Sequence, residues 1–123
     1  MQLIGLGTDI IEVARIKDSL SKLKEAFTHK LFTEKERLYC EQFARKEERY
    51  AGRFAAKESI VKALGTGFGP ITWTQIEVLP NKNGKPIVTL APPFDTIQVE
   101  ISISHTKELA VATALAYLNS PEN

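Results

Sequence analysis

Lys57, Glu58 and Lys62 fall close together in the run Phe54-Ala-Ala-Lys-Glu-Ser-Ile-Val-Lys-Ala-Leu-Gly-Thr-Gly67. Two ammonium groups and a carboxylate on one short helix suit phosphate and divalent-cation chemistry, because the cations neutralise oxyanions while the carboxylate offers a hard oxygen ligand. At about 100° per residue, Ala51, Ala55, Glu58 and Lys62 lie within about 60° of one another, beside an apolar arc of Tyr50, Phe54, Val61 and Leu64. Glu58 and Lys62 thus share a face lined by alanine, which lets a backbone or a ligand come close. Lys57 projects from inside the apolar arc, where a solvated charge is out of place. The same residues also read as an ordinary i,i+4 Glu-Lys pair contributing about 0.2–0.5 kcal/mol, so this helix alone leaves both readings open.

Two more groups could join such a site. Asp9 sits in the apolar run Leu3 to Val13, and a carboxylate there needs a cation, backbone hydrogen bonds or a metal, unless it caps the following helix. His105 lies in Ser102-Ile-Ser-His-Thr-Lys-Glu108, at a strand-to-turn junction where side chains and amides converge on ligands. A lone histidine is more often structural, and no acid partner or nucleophile elbow accompanies Ser104-His105 to make a hydrolase triad. Glycines 65, 67 and 69 could cradle an anion, although their order matches neither a Walker loop nor a dinucleotide fingerprint.

Several elements must position these groups. Leu3–Val13 reads as a buried strand in which Gly5 and Gly7 permit close backbone approach. Ile16, Leu20, Leu23 and Phe27 predict one amphipathic helix from Ala14 to Phe27, its other face basic through Arg15, Lys17, Lys22, Lys24 and, just beyond, Lys30 against Asp18 and Glu25. That face is either simply solvated or a docking surface for an acidic partner. Thr33-Glu-Lys-Glu36 has the capping-box form and starts a helix running from Glu34 to about Phe43. The long helix then spans about Glu47 to Leu64 and stops at Gly65. Trp73 to Val78 and Pro86 to Leu90 form a hairpin around Asn81–Lys85, and Gln98–Ser104 is an alternating strand. Glu108–Leu118 has enough alanine for a helix, but Val111, Thr113 and Leu115 alternate with alanines, which favours a strand.

With 123 residues, 43% hydrophobic and 25% charged, the composition is that of a single globular domain. A net charge of +1 argues against a broadly basic nucleic-acid binder. The lone Cys40 leaves no disulfide framework or zinc ribbon. No run approaches membrane-spanning length, and the N-terminal segment lacks the basic region of a signal peptide. The expectation is a cytoplasmic protein that engages neither membrane nor nucleic acid.

Gly5-Leu-Gly-Thr-Asp-Ile-Ile-Glu-Val13, the stretch Gly52 to Gly67, and Ser102-Ile-Ser-His-Thr-Lys-Glu-Leu-Ala-Val111 together resemble the bacterial holo-[acyl-carrier-protein] synthases, small single-domain 4′-phosphopantetheinyl transferases. The resemblance runs the length of the chain. It implies an α+β fold, helices packed on an antiparallel sheet, over one domain spanning 1–123, and homotrimers with active sites between neighbouring subunits. It implies transfer of 4′-phosphopantetheine from coenzyme A to a serine of apo acyl carrier protein, releasing adenosine 3′,5′-bisphosphate, in support of fatty acid biosynthesis. The nucleophile then belongs to the partner. By the same resemblance Asp9 and Glu58 are the Mg²⁺ ligands and Glu58 and Lys62 the catalytic pair, with Lys62 on the pyrophosphate. Arg53, Lys57, Gly65, Thr66, His105 and Thr106 are candidates for nucleotide and phosphate contacts. Arg15, and with it Lys17, Lys22 and Lys24, are expected to dock the acidic carrier, lysine replacing some of the arginine usual along this helix. The base that deprotonates the serine stays open between Glu58 acting through a metal-bound water and an external water.

Overall fold

The structure, a computed structural model, describes residues 1–119, so the last four residues of the expected 1–123 domain lie outside the described residues. The order of elements is β1 (Gln2–Glu12), α1 (Val13–Leu23), α2 (Glu25–Leu31), α3 (Glu34–Glu41), α4 (Lys46–Leu64), β2 (Ile76–Pro80), β3 (Pro86–Leu90), β4 (Gln98–His105) and β5 (Leu109–Leu118). Strands β1, β5 and β4 make an antiparallel sheet in that spatial order, and β2 with β3 makes a separate hairpin. Helix α4 lies on the three-stranded sheet, giving the expected α+β architecture.

Small residues set this packing. Ala110, Ala112, Ala114 and Ala116 of β5 are wholly buried, as are Ala51 and Ala55 of α4, so helix and sheet meet with little side chain between them. The alternation on β5 is that of a strand, and the alanines are its inward face. Gly5 and Gly7 carry the contact onto β1, since a Cβ on either would collide with the α4 backbone. Tyr50, Ile60, Ile71, Ile76 and Val78 fill the remaining core, each large side chain contributing about 1.5–3 kcal/mol by leaving water. The α4 helix is buried on most of its circumference, and it ends at Gly65, whose φ of 75° is left-handed and suits glycine.

Three elements depart from the sequence expectation, the first being β1, read as a buried strand: only its face with Gly5, Gly7 and Asp9 meets α4, and Leu3, Leu6 and Ile10 on the other are exposed. The single helix expected from Ala14 to Phe27 is broken at Lys24, whose φ is 49°. The apolar stripe does not hold one face: Leu23 is exposed, whereas Phe27 and Leu31 enter the core, and the break rotates them inward. Trp73 belongs to a short 3₁₀ turn, Trp73–Gln75, rather than to β2. Its indole stacks on Phe68 at 3.9 Å between centroids and on Phe54 at 5.1 Å, and that packing turns the backbone before the strand starts.

The capping box at the start of α3 does more than cap. Thr33 N donates to Glu36 Oε1 at 2.8 Å and Glu36 N to Thr33 Oγ1 at 3.2 Å, as expected. The Glu36 carboxylate also accepts from Val78 N on β2 at 2.8 Å and from Lys57 Nζ on α4 at 2.6 Å. Lys57 further donates to Leu31 O at 2.8 Å and Trp73 O at 2.9 Å. One wholly buried ion pair thus joins α2, α3, α4, the 3₁₀ turn and β2.

Candidate active site

On β1, Asp9 pairs with Ala112, so its side chain is on the face that meets α4. Lys62 Nζ reaches across to Thr8 O at 2.9 Å and Asp9 Oδ1 at 3.2 Å. Lys62 is half exposed and Asp9 mostly shielded, which describes a cluster open on one side. Glu58, one turn before Lys62, has its carboxyl pushed above the usual range, first by burial and then by the charge of Asp9, with Lys62 opposing. A buried carboxyl pushed up by a neighbouring carboxylate's charge marks a place where a cation is welcome. Among the described residues no group of three or more His, Cys, Asp or Glu could enclose a metal. The donor set therefore fits an ion that keeps waters and shares substrate phosphate oxygens, which is the habit of Mg²⁺.

Arg53 and His105 build a second cluster. The Arg53 guanidinium lies 4.5 Å over the Tyr39 ring and donates from Nε to Val78 O at 3.3 Å. His105 Nδ1 is 3.2 Å from Glu48 Oε1. With Tyr39, Arg49, Pro86 and Ile103 they line a small cleft of about 110 Å³ that combines aromatic, aliphatic and cationic groups. Sequence reasoning passed over Tyr39, Arg49 and Glu48. Arg49 and Arg53 stand at i,i+4 on a helix, a like-charge spacing that costs stability unless anions or ring faces offset it, and that was the signal available.

These two clusters do not meet within one chain. Arg53 and Lys62 are nine residues apart, hence about 13 Å along α4 and on opposite sides of it. Asp9 is on β1 and His105 on β4, the two outer strands of the sheet.

The expectation that Lys57 contacts substrate is corrected by its surroundings. It is 0% exposed, and its ammonium is occupied by Glu36, Leu31 O and Trp73 O, with the Phe32 ring 5.3 Å away. Burial presses its pKa down and the Glu36 charge opposes that. Lys57 is a structural group. Thr106 holds the β4–β5 turn, its hydroxyl accepting from Glu108 N at 3.2 Å and Leu109 N at 3.1 Å. Gly65 and Thr66 lie in the exposed exit of α4, Thr66 Oγ1 donating to Gly67 O at 2.9 Å.

Arg15, Lys17, Lys22 and Lys24 are all exposed, but they do not make one surface. Arg15 borders a depression of about 290 Å³ with Ile11, Ile16, Phe27 and Phe54, one helical turn from Glu58, and Lys22 lies on the same side of α1, paired to Asp18 at 3.3 Å. Lys17 and Lys24 instead border a groove of about 440 Å³ toward Glu41 and Glu47.

A chain of this fold, with a carboxylate pair and lysine at a helix–strand junction, belongs to the 4′-phosphopantetheinyl transferase superfamily, whose family model it matches over residues 5–114. Within that family it is similar along nearly its whole length to holo-[acyl-carrier-protein] synthases. It is 43% identical to that of Protochlamydia amoebophila, over 91% of this chain and 96% of the relative. With that of Chlorobaculum tepidum it shares 46% identity over 89% and 95%. The crystal structure of the Bacillus anthracis enzyme, in complex with coenzyme A (3′,5′-ADP), superposes with a TM-score of 0.85 at 39% identity, over 97% of this chain and 100% of that one.

Proposed function

We propose that this chain is a holo-[acyl-carrier-protein] synthase, moving 4′-phosphopantetheine from coenzyme A to a serine hydroxyl of apo acyl carrier protein in the cytoplasm, in support of fatty acid biosynthesis. The carrying observation is the Asp9–Glu58–Lys62 cluster at the α4–β1 junction. In the reaction the serine oxygen bonds to the β-phosphorus of the pyrophosphate, the bond from that phosphorus to the bridging oxygen breaks, and adenosine 3′,5′-bisphosphate leaves. The serine proton passes to water or to Glu58. Asp9 and Glu58 would hold Mg²⁺, which when bound supplies charge neutralisation on the pyrophosphate. Lys62, anchored to Thr8 O, is within reach of the same oxygens and stabilises charge developing on them. The cleft of Arg53 and His105 takes the nucleotide end with Thr106 beside it, and Gly65 and Thr66 give phosphate access at the Lys62 end of α4. Arg15 and Lys22 receive the acidic carrier beside the apolar depression, and Lys17 and Lys24 add to its capture from the far side.

A homotrimer with shared sites accounts for the split clusters. The outward sheet face exposes Leu6, Ile10 and Val111, with Leu6 opposite Leu115 and Ile10 opposite Val111, an apolar patch suited to other copies. A head-to-tail ring would bring the β4 side of one copy to the β1 side of the next. Mixing inactive Arg53→Ala and Lys62→Ala chains should then restore activity; continued inactivity of a mixed oligomer would argue for sites within single chains.

Intact-mass spectrometry of apo carrier incubated with this protein and coenzyme A tests the reaction itself. The carrier should gain one phosphopantetheine, and excess chelator should stop the gain. No mass shift would sink the reading, and release of the bisphosphate without carrier would point to a phosphoesterase.

A further inference from the structure

On β1, residues Gly5, Gly7 and Asp9 all oppose the buried alanines of β5 and therefore face α4. A Cβ at Gly7 would collide with Ser59 O and lie 2.7 Å from Ala63 N and 2.9 Å from Lys62 Cβ. A Cβ at Gly5 would collide with Ala63 O and lie 3.1 Å from the same carbonyl carbon. The α4 backbone thus rests directly on the β1 backbone, touching it at the residue after Glu58 and at those beside Lys62. Two residues further along β1 is Asp9, within 3.2 Å of Lys62 Nζ. Lys62 Nζ also reaches Thr8 O at 2.9 Å across the same contact.

We propose that Gly7 is a positioning residue for the transfer reaction: the absence of its side chain sets the α4–β1 spacing at which Asp9 and Glu58 can ligate one cation together. The inference rests on the reading of those two carboxylates as metal ligands. Carbon and its neighbours separate to about 3.5–4.0 Å at an ordinary contact, so a methyl at position 7 drives α4 away from β1 by roughly 1 Å or more. Mg²⁺ holds oxygen at about 2.0–2.1 Å in a near-ideal octahedron, and a gap that wide separates the two carboxylates into single ligands. Gly5 supports the same contact from a place further from Asp9, so a wedge there tilts α4 about a more distant point and disturbs the pair less.

The test is Mn²⁺ titration, read by electron paramagnetic resonance, into the protein with coenzyme A and no carrier, so that no transfer occurs. Gly7→Ala is expected to lower Mn²⁺ affinity tenfold or more, and Gly5→Ala less. Asp9→Glu, whose extra methylene over-reaches in the native spacing, is expected to weaken binding in the native chain but to recover part of the loss in Gly7→Ala. Unchanged affinity in folded Gly7→Ala, or Asp9→Glu weakening both backgrounds alike, overturns the inference. Should Gly7→Ala not fold, Gly5→Ala with and without Asp9→Glu carries the comparison: a smaller loss with recovery supports it, and no loss overturns it. A native chain that binds no Mn²⁺ under these conditions refutes the metal reading itself, an outcome distinct from a spacing that proves irrelevant.

Discussion

Lys57 and Lys62 stand five residues apart on α4, each paired with a carboxylate from another element, yet one side of the helix is sealed and the other open. Lys57 is wholly enclosed with Glu36 at 2.6 Å, and its ammonium serves two carbonyls as well. Lys62 has half its side chain in solvent and meets Asp9 at a looser 3.2 Å. The lesson is that an ion pair reveals its role through what surrounds it. A closed pair satisfied by fixed carbonyls organises structure, whereas an open pair next to a second carboxylate can exchange partners with a ligand.

The sharpest way to break this comparison is to remove each partner. Lys57→Ala or Glu36→Ala leaves a buried charge without its counterpart and should cost about 3–5 kcal/mol, read as a lower denaturant midpoint; a loss below 1 kcal/mol would show the sealed side to be no more structural than the open one. The net contribution of the pair is a different quantity, because burial works against both charges.

On the open side, docking sharpens the contrast between the two flanks of α1. Arg15→Glu with Lys22→Glu should slow carrier association on the order of tenfold at low salt and flatten its salt dependence. Lys17→Glu with Lys24→Glu, on the far flank, should do so less. Stopped-flow association across a salt series checks this, and a larger effect from the second pair would move the carrier to the groove beside Glu41 and Glu47.

The smallest effect concerns Glu58. Its folded-state carboxyl is raised by burial and by Asp9, so the chain binds that proton more tightly folded than unfolded. The stability this confers is complete below the unfolded value of about 4.3 and is lost as pH rises through the folded one. Glu58→Gln should therefore melt slightly higher than the native chain at pH 7 without metal, and the difference should vanish at lower pH. Equal melting at both pH values would mean that the cluster holds no repulsion for a cation to relieve.

Much of the framework was legible because local signals agreed with global packing. Thr33 and Glu36 announced the start of α3, alternating alanines announced β5, and Gly65 announced the end of α4. Asp9 was conspicuous because it is polar in an apolar strand. The break at Lys24 was not legible, since the stripe through Leu23 and Phe27 fits an unbroken helix until the core needs Phe27 and Leu31 turned inward. Nor was the fate of Lys57. Its place in the apolar arc showed that it is unusual, but only the arrival of Glu36, Leu31 O and Trp73 O from three other segments makes it structural. Contacts of long sequence separation decide such cases, and no periodicity encodes them.

The most direct test of the account is the rate at which Lys62→Ala modifies apo carrier at saturating coenzyme A, measured by intact mass alongside its denaturant midpoint. The rate should fall by a hundredfold or so, with stability changed by no more than about 1 kcal/mol because the lost pair is half exposed. A near-native rate, or a slow rate fully explained by unfolding, would contradict it.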